Sequence, residues 1–196
     1  MTQKDLKDVG FFLDTTKPDF LFDIKSTTNP EQVLITNRFR KLFVSDKFAE
    51  MGFVLNSRHC YGLGQRNQQL ELTRGYYTLH SRSRPEGLKT DFGLGDAASN
   101  LIMPYLMCLQ PDGNYFGMLF VSGGPQAFEL VVLDGSDDRQ VLNYIALDGN
   151  IEIYAIVDSS IASLQYQLQN LVGRSSAPPF YAMGVFHGSN AYTTLA

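Results

Sequence analysis

Short apolar bursts separated by polar turn residues run along most of the chain. Phe20–Ile24 alternates around Asp23, Ser26-Thr-Thr-Asn-Pro30 interrupts it, and Gln32–Thr36 resumes, a pattern that predicts a hairpin-like pair. Lys41–Val44 and Phe53–Leu55 are further bursts. Met103–Leu109 runs into Pro111-Asp-Gly-Asn114, where Pro presets the bend and Gly admits a left-handed residue. Tyr115–Val121 then returns, so residues 103–121 are expected to form a β-hairpin. Phe128–Leu133, Val141–Leu147 and Ile151–Val157 follow, parted by the turns Asp134-Gly135 and Asp148-Gly149-Asn150. Strands at this spacing predict a mainly β chain, an antiparallel sandwich or barrel.

One segment has the helical period. Ile161, Leu164, Leu168, Leu171 and Val172 make an apolar stripe against Gln and Ser, with Asp158 or Ser159 placed to cap it and Gly173 to end it. Ala177-Pro178-Pro179 forbids more helix. Phe180–Phe186 is apolar at almost every position, which predicts a strand covered on both faces, as in a parallel barrel. Such a strand is out of place at the end of an antiparallel domain.

Composition narrows the classes. The 196 residues suffice for one well-buried domain, and 44% hydrophobic against 18% charged residues is a globular balance. A formal charge of −4 supplies no basic field for phosphates, so nucleic acid is not an expected partner. No apolar run approaches the ~20 residues that span a bilayer, and the charged start lacks the core of a signal peptide. Cys60 and Cys108 fit no zinc spacing. Each lies among apolar neighbours, as buried free thiols do; a single disulfide, or one reactive thiol, is the alternative.

Two stretches carry a family likeness. The first is Tyr61-Gly-Leu-Gly-Gln-Arg66. The second runs from the helix through Leu171-Val-Gly-Arg174 to Pro178-Pro-Phe-Tyr-Ala-Met-Gly184, with Tyr192 beyond. In this order they resemble glycoside hydrolase family 31, the α-glucosidases and their relatives, over roughly residues 20–196. The resemblance implies a galactose-mutarotase-like β-supersandwich over residues 20–158 after a poorly defined start at 1–19. It further implies a linking helix and loop at 159–177, and at 178–196 the first strand and start of the first helix of a truncated (β/α)8 barrel. It also implies an α-glucoside carbohydrate as ligand, no cofactor or metal, and the rest of the catalytic barrel as structural partner. Truncation at both ends is expected on this reading, which leaves the compartment unknown.

Family members carry a loop that reaches from the sandwich over the active-site mouth, and Ser81-Arg-Ser-Arg-Pro-Glu-Gly87 looks similar to it. By that likeness Arg82 and Ser83 are the candidate substrate-binding residues, with a solvated loop as the plainer reading. Ser83 stands where relatives have an Asp, and a hydroxyl cannot offer the charged acceptors of a carboxylate. Gln65 replaces a Glu, and Phe186-His-Gly-Ser-Asn190 stands where relatives often have an Arg.

Glycoside hydrolysis needs two carboxyl groups flanking the scissile bond, and in this family both belong to later barrel strands. No catalytic residue is therefore expected in this chain, and in isolation it is expected to hydrolyse nothing. Asp91, Asp96, Asp112, Asp137, Asp138 and Asp148 all fall in turns or Gly-rich loops, where Asp is common for conformational reasons. His59, His80 and His187 lack ligand spacing, and Gly62-x-Gly64 lacks the rest of a dinucleotide loop. No Gly-x-Ser-x-Gly occurs. Two alternatives differ in class: a non-catalytic carbohydrate-binding or interaction module using Tyr76, Tyr77 and Phe92 as sugar platforms, and an inactive remnant.

Overall fold

The turn residues bend the chain where the sequence places them. At the 103–121 hairpin Gly113 has φ +85° and donates its amide to the Gln110 carbonyl at 3.0 Å, while the Gln110 amide donates to Asn114 at 2.8 Å. The computed structural model describes residues 9–14, 21–57, 59–64, 70–72, 74–79, 96–97, 101–133 and 139–184, apart from 27–30. The strands it contains are β1 (Val9–Asp14), β2 (Leu21–Ser26), β3 (Val33–Val44), β4 (Ala49–Leu55), β5 (His59–Gly62), β6 (Glu71–Leu72), β7 (Gly75–Leu79), β8 (Asp96–Ala97), β9 (Tyr105–Leu109), β10 (Tyr115–Val121), β11 (Gln126–Val132), β12 (Gln140–Ala146) and β13 (Glu152–Asp158). Helix α1 (Ile161–Val172) follows.

Two sheets form a sandwich. The larger has the order β1-β2-β3-β4-β12-β11-β7-β8 and the smaller β13-β10-β9-β5-β6. Pairing is antiparallel except between β7 and β8. The expected antiparallel β-sandwich is the observed architecture.

Side-chain alternation builds the core. On β10, Phe116, Met118 and Phe120 face the larger sheet and are almost fully buried, while Tyr115 and Leu119 face the other way. The Phe120 ring lies 4.6 Å from Tyr144 and 5.0 Å from Phe128, so one aromatic cluster bridges the sheets. Full burial of each such ring contributes ~2–3 kcal/mol.

The helix makes a third layer on the outer face of the smaller sheet. Leu164 and Leu168 bury against Tyr105, Leu119 and Ile156. Ile161 and Val172 are exposed, so the stripe that touches the sheet is narrower than the periodicity suggests. The cap is Ser160, not Asp158 or Ser159: Ser160 Oγ accepts from the Ser163 amide at 3.2 Å. Asp158 instead ties strand to helix, accepting from the Ser159 amide, Ser163 Oγ and Gln167 Nε2. Ser160→Ala is expected to cost ~1 kcal/mol in urea denaturation, the value of an N-cap oxygen.

Three further expectations change. Gln32–Thr36 and Lys41–Val44 belong to the single strand β3, whose register shifts after Thr36 and again after Arg40. The bulges let it run through Asn37, whose Oδ1 accepts from the Phe22 amide at 2.6 Å. The sheet also begins earlier than Phe20, since Val9–Asp14 pairs with β2. Finally, Phe180–Met183 is one turn of 3₁₀ helix with Phe180 94% exposed, not a strand. A strand apolar on both faces needs neighbours to pair with and cover it, and none lies beside it among the described residues. Residues 185–196 lie outside the described residues.

Candidate functional site

Strand register collects several loops at one end of the sandwich. Leu79, the last residue of β7, pairs with Gln126 at the start of β11, and Gln126 pairs with Ala146 at the end of β12. Ala146 in turn pairs with Ala49, where β4 begins. On the smaller sheet, Gly62 pairs with Leu106 and Tyr105 with Leu119. The same rim thus holds the Gly62–Gly64 turn, the 122–125 and 147–150 loops, and the root at which the 80–95 segment leaves the larger sheet. Because β8 runs parallel to β7, with Tyr77 opposite Asp96, the chain enters β8 from the end away from the rim.

The Tyr61-Gly-Leu-Gly stretch is tightly built. Gly62, Leu63 and Gly64 all have positive φ, at +121°, +59° and +85°. A left-handed Leu is uncommon, and here it is held by burial and by donation of its amide to the Tyr105 carbonyl at 2.9 Å. A Cβ on Gly62 would stand 2.2 Å from the Tyr105 carbonyl oxygen, and one on Gly64 2.2 Å from that of Leu101. The motif positions backbone at the rim; its side chains supply no reactive group. Beneath it Tyr105 lies against Gly117, its hydroxyl pushed up to about 12 by burial.

Asp112 and Asp148 do the turn work expected of them. Asp148 Oδ2 accepts from Ser122 Oγ and from the Gly123 amide, each at 2.8 Å, which staples two rim loops together. Asp112, at the opposite end, accepts from the Asn114 amide at 3.0 Å and from Gln32 Nε2 at 2.8 Å. Burial works against ionisation at Asp112, Asp148 and Asp158, but their hydrogen bonds outweigh it and hold all three carboxyls below the ordinary 3.8. A carboxyl depressed by folding stabilises the fold above its unfolded value and loses that contribution as pH falls through its folded one. The urea midpoint is therefore expected to be level down to about pH 4 and to fall below it. Asp148→Asn should flatten part of that decline.

Other candidates scatter or change role. Arg82 and Ser83 lie outside the described residues, as do Gln65, His80, Asp91, Phe92, Asp137, Asp138, His187 and Tyr192. Tyr77 is not a sugar platform: it faces the core and is buried, because β7 turns alternate residues inward. Tyr76 faces outward and is 39% exposed. His59 Nδ1 pairs with Glu71 Oε1 at 2.7 Å, away from the rim. Cys60 and Cys108 are not free thiols but a disulfide, since β5 and β9 set them directly opposite each other with Cα atoms 4.2 Å apart. Apolar neighbours signal burial, and only the register reveals the pairing. Among the described residues no helix is long and apolar enough to cross a membrane.

No family model matches the chain. Known proteins do. Rabbit intestinal sucrase-isomaltase is 21% identical over 183 residues, covering 87% of this chain and 9% of that protein. Mouse lysosomal alpha-glucosidase is 25% identical over 158 residues, covering 80% of this chain and 15% of that protein. A human probable maltase-glucoamylase 2 is 21% identical over 92% of this chain. These proteins are glycoside hydrolase family 31 enzymes, and the chain is similar to them over most of its length. It spans less than a sixth of the length of these family 31 relatives, 7% to 15%. Solved structures agree on the fold. The glucosidase II alpha subunit in its alpha3-Glc2-bound form superposes with a TM-score of 0.58 at 8% identity, over 76% of this chain and 20% of that one. The cycloalternan-degrading enzyme from Trueperella pyogenes in complex with cycloalternan gives 0.51 at 14% identity, over 89% and 22%.

Proposed function

We propose that this chain is the sandwich region of a retaining α-glucosidase-type glycoside hydrolase, and that it supports a catalytic barrel and lends its rim to carbohydrate binding. The supporting observation is the match to α-glucosidase relatives along most of this chain but a small part of theirs. On this reading the two catalytic carboxyl groups, ~5–5.5 Å apart for retention, come from the barrel and not from residues 1–196. Phe180, Tyr181 and Met183 are strongly exposed, which suits apolar side chains that a barrel would cover. The 80–95 segment, rooted at the rim, brings Arg82 and Ser83 to the sugar as hydrogen-bonding groups. The substrate class is α-linked glucosides such as maltose or starch ends.

The test has two arms. The purified chain should give no turnover of a chromogenic α-glucoside, and turnover would overturn the assignment of catalysis to the barrel. Titration with maltose, followed by chemical shifts, should show saturable weak binding by roughly tens of millimolar. Arg82→Ala should weaken it several-fold, and a flat titration would remove the rim from the binding surface.

A further inference from the structure

The smaller sheet thins toward one edge. Beyond β9 it continues only through the short strand β5 and the two-residue β6, so few ladder hydrogen bonds hold that edge. Cys60 and Cys108 join this edge to β9 covalently, both fully buried. Their separation of 48 residues encloses the Gly62–Gly64 turn, β6, β7, β8 and the whole 80–95 segment. The same edge carries the strained turn, whose Leu63 amide bonds to the Tyr105 carbonyl, three residues from Cys108 on the partner strand. A turn with three successive positive φ values stays closed only while its surroundings hold it.

We infer that the Cys60–Cys108 disulfide is a clamp on the rim, so that carbohydrate binding there requires the oxidised state and the protein works in an oxidising compartment. The binding half rests on the function proposed above. Reduction is a two-electron exchange. A dithiol attacks one sulfur to form a mixed disulfide, its second thiol displaces the protein sulfur, and two cysteine thiols and a cyclic disulfide result. Neither cysteine is exposed, so the reductant gains access when the β5–β6 edge lifts, which is the motion the clamp restrains.

The experiment compares the oxidised chain with the chain reduced by dithiothreitol, the thiols being counted by maleimide labelling. A Cys60→Ala/Cys108→Ala variant provides the same open state without reductant. Amide hydrogen exchange at Leu63 should quicken about tenfold or more in both open forms through a local opening that urea hardly affects. Exchange at Leu142 in the larger sheet should quicken only with global unfolding and rise steeply with urea. Maltose should bind the open forms more weakly, by a similar factor. Unchanged exchange at Leu63, or exchange there with the steep urea dependence of Leu142, would overturn the clamp: the bond would then be idle or merely global. Equal maltose affinity in both states would overturn the redox dependence. If the oxidised chain binds no maltose, the proposed rim function fails, and the exchange data still decide the clamp.

Discussion

Replacing Gly62 with alanine is expected to cause the largest loss of stability of any substitution considered. The residue sits at φ +121°, outside the regions an L side chain adopts readily, and its new Cβ would stand 2.2 Å from a backbone oxygen. Neither obstacle relaxes cheaply, because the blocking atom is the Tyr105 carbonyl, which accepts the Leu63 amide. A loss of ~4 kcal/mol or more follows, a large share of the 5–15 kcal/mol that domains typically have. Gly113→Ala is the control. It also has positive φ, but nothing lies within 4 Å of its Cβ position, so the cost should be the backbone preference alone, ~1–2 kcal/mol. Urea unfolding followed by circular dichroism measures both. If Gly62→Ala unfolded no more easily than Gly113→Ala, the close approach at the turn would be wrong.

Removing both cysteines should have the next largest effect. A cross-link between residues 48 apart restricts the unfolded chain, and loop-closure entropy for that length is worth ~4 kcal/mol. For a chain of this size the melting temperature should fall by roughly 10 °C. Alanine at both positions leaves only a small cavity, so most of the loss should arise in the unfolded state rather than in the packed sheet. The check is simple. Fully reduced wild type and the double variant should melt together, both well below the oxidised protein. Equal melting of oxidised and reduced wild type would mean that the bond does not constrain the unfolded ensemble as loop closure requires.

The sequence discloses local features far better than distant ones. The 105–121 hairpin was readable because Pro111-Asp-Gly-Asn114 states its own bend. The strands β11, β12 and β13 were readable for a similar reason, each being a burst of the right length. Strand β3 was not legible as one element, since bulges carry it through charged residues that look like a break. The disulfide could not be read, because it depends on a register set between β5 and β9. Phe180–Met183 misled because a strand pattern states a preference, and pairing needs neighbours that this segment lacks among the described residues. For the candidate site, the Tyr61–Gly64 motif was visible, but its physical reason, a buried left-handed Leu63 between two crowded glycines, was not.

The sheet margins bear on how copies of this chain would meet. A margin of unpaired amides and carbonyls templates another strand in proportion to its length. On the larger sheet β8 ends one margin after two residues, and on the smaller sheet β6 does the same. The other margins, β1 and β13, present six and seven residues. Self-association by strand addition should therefore be directional, seeded along β1 or β13 and stalling at the β6 and β8 sides. A proline or inward-facing lysine in either long margin would be the place to improve solubility.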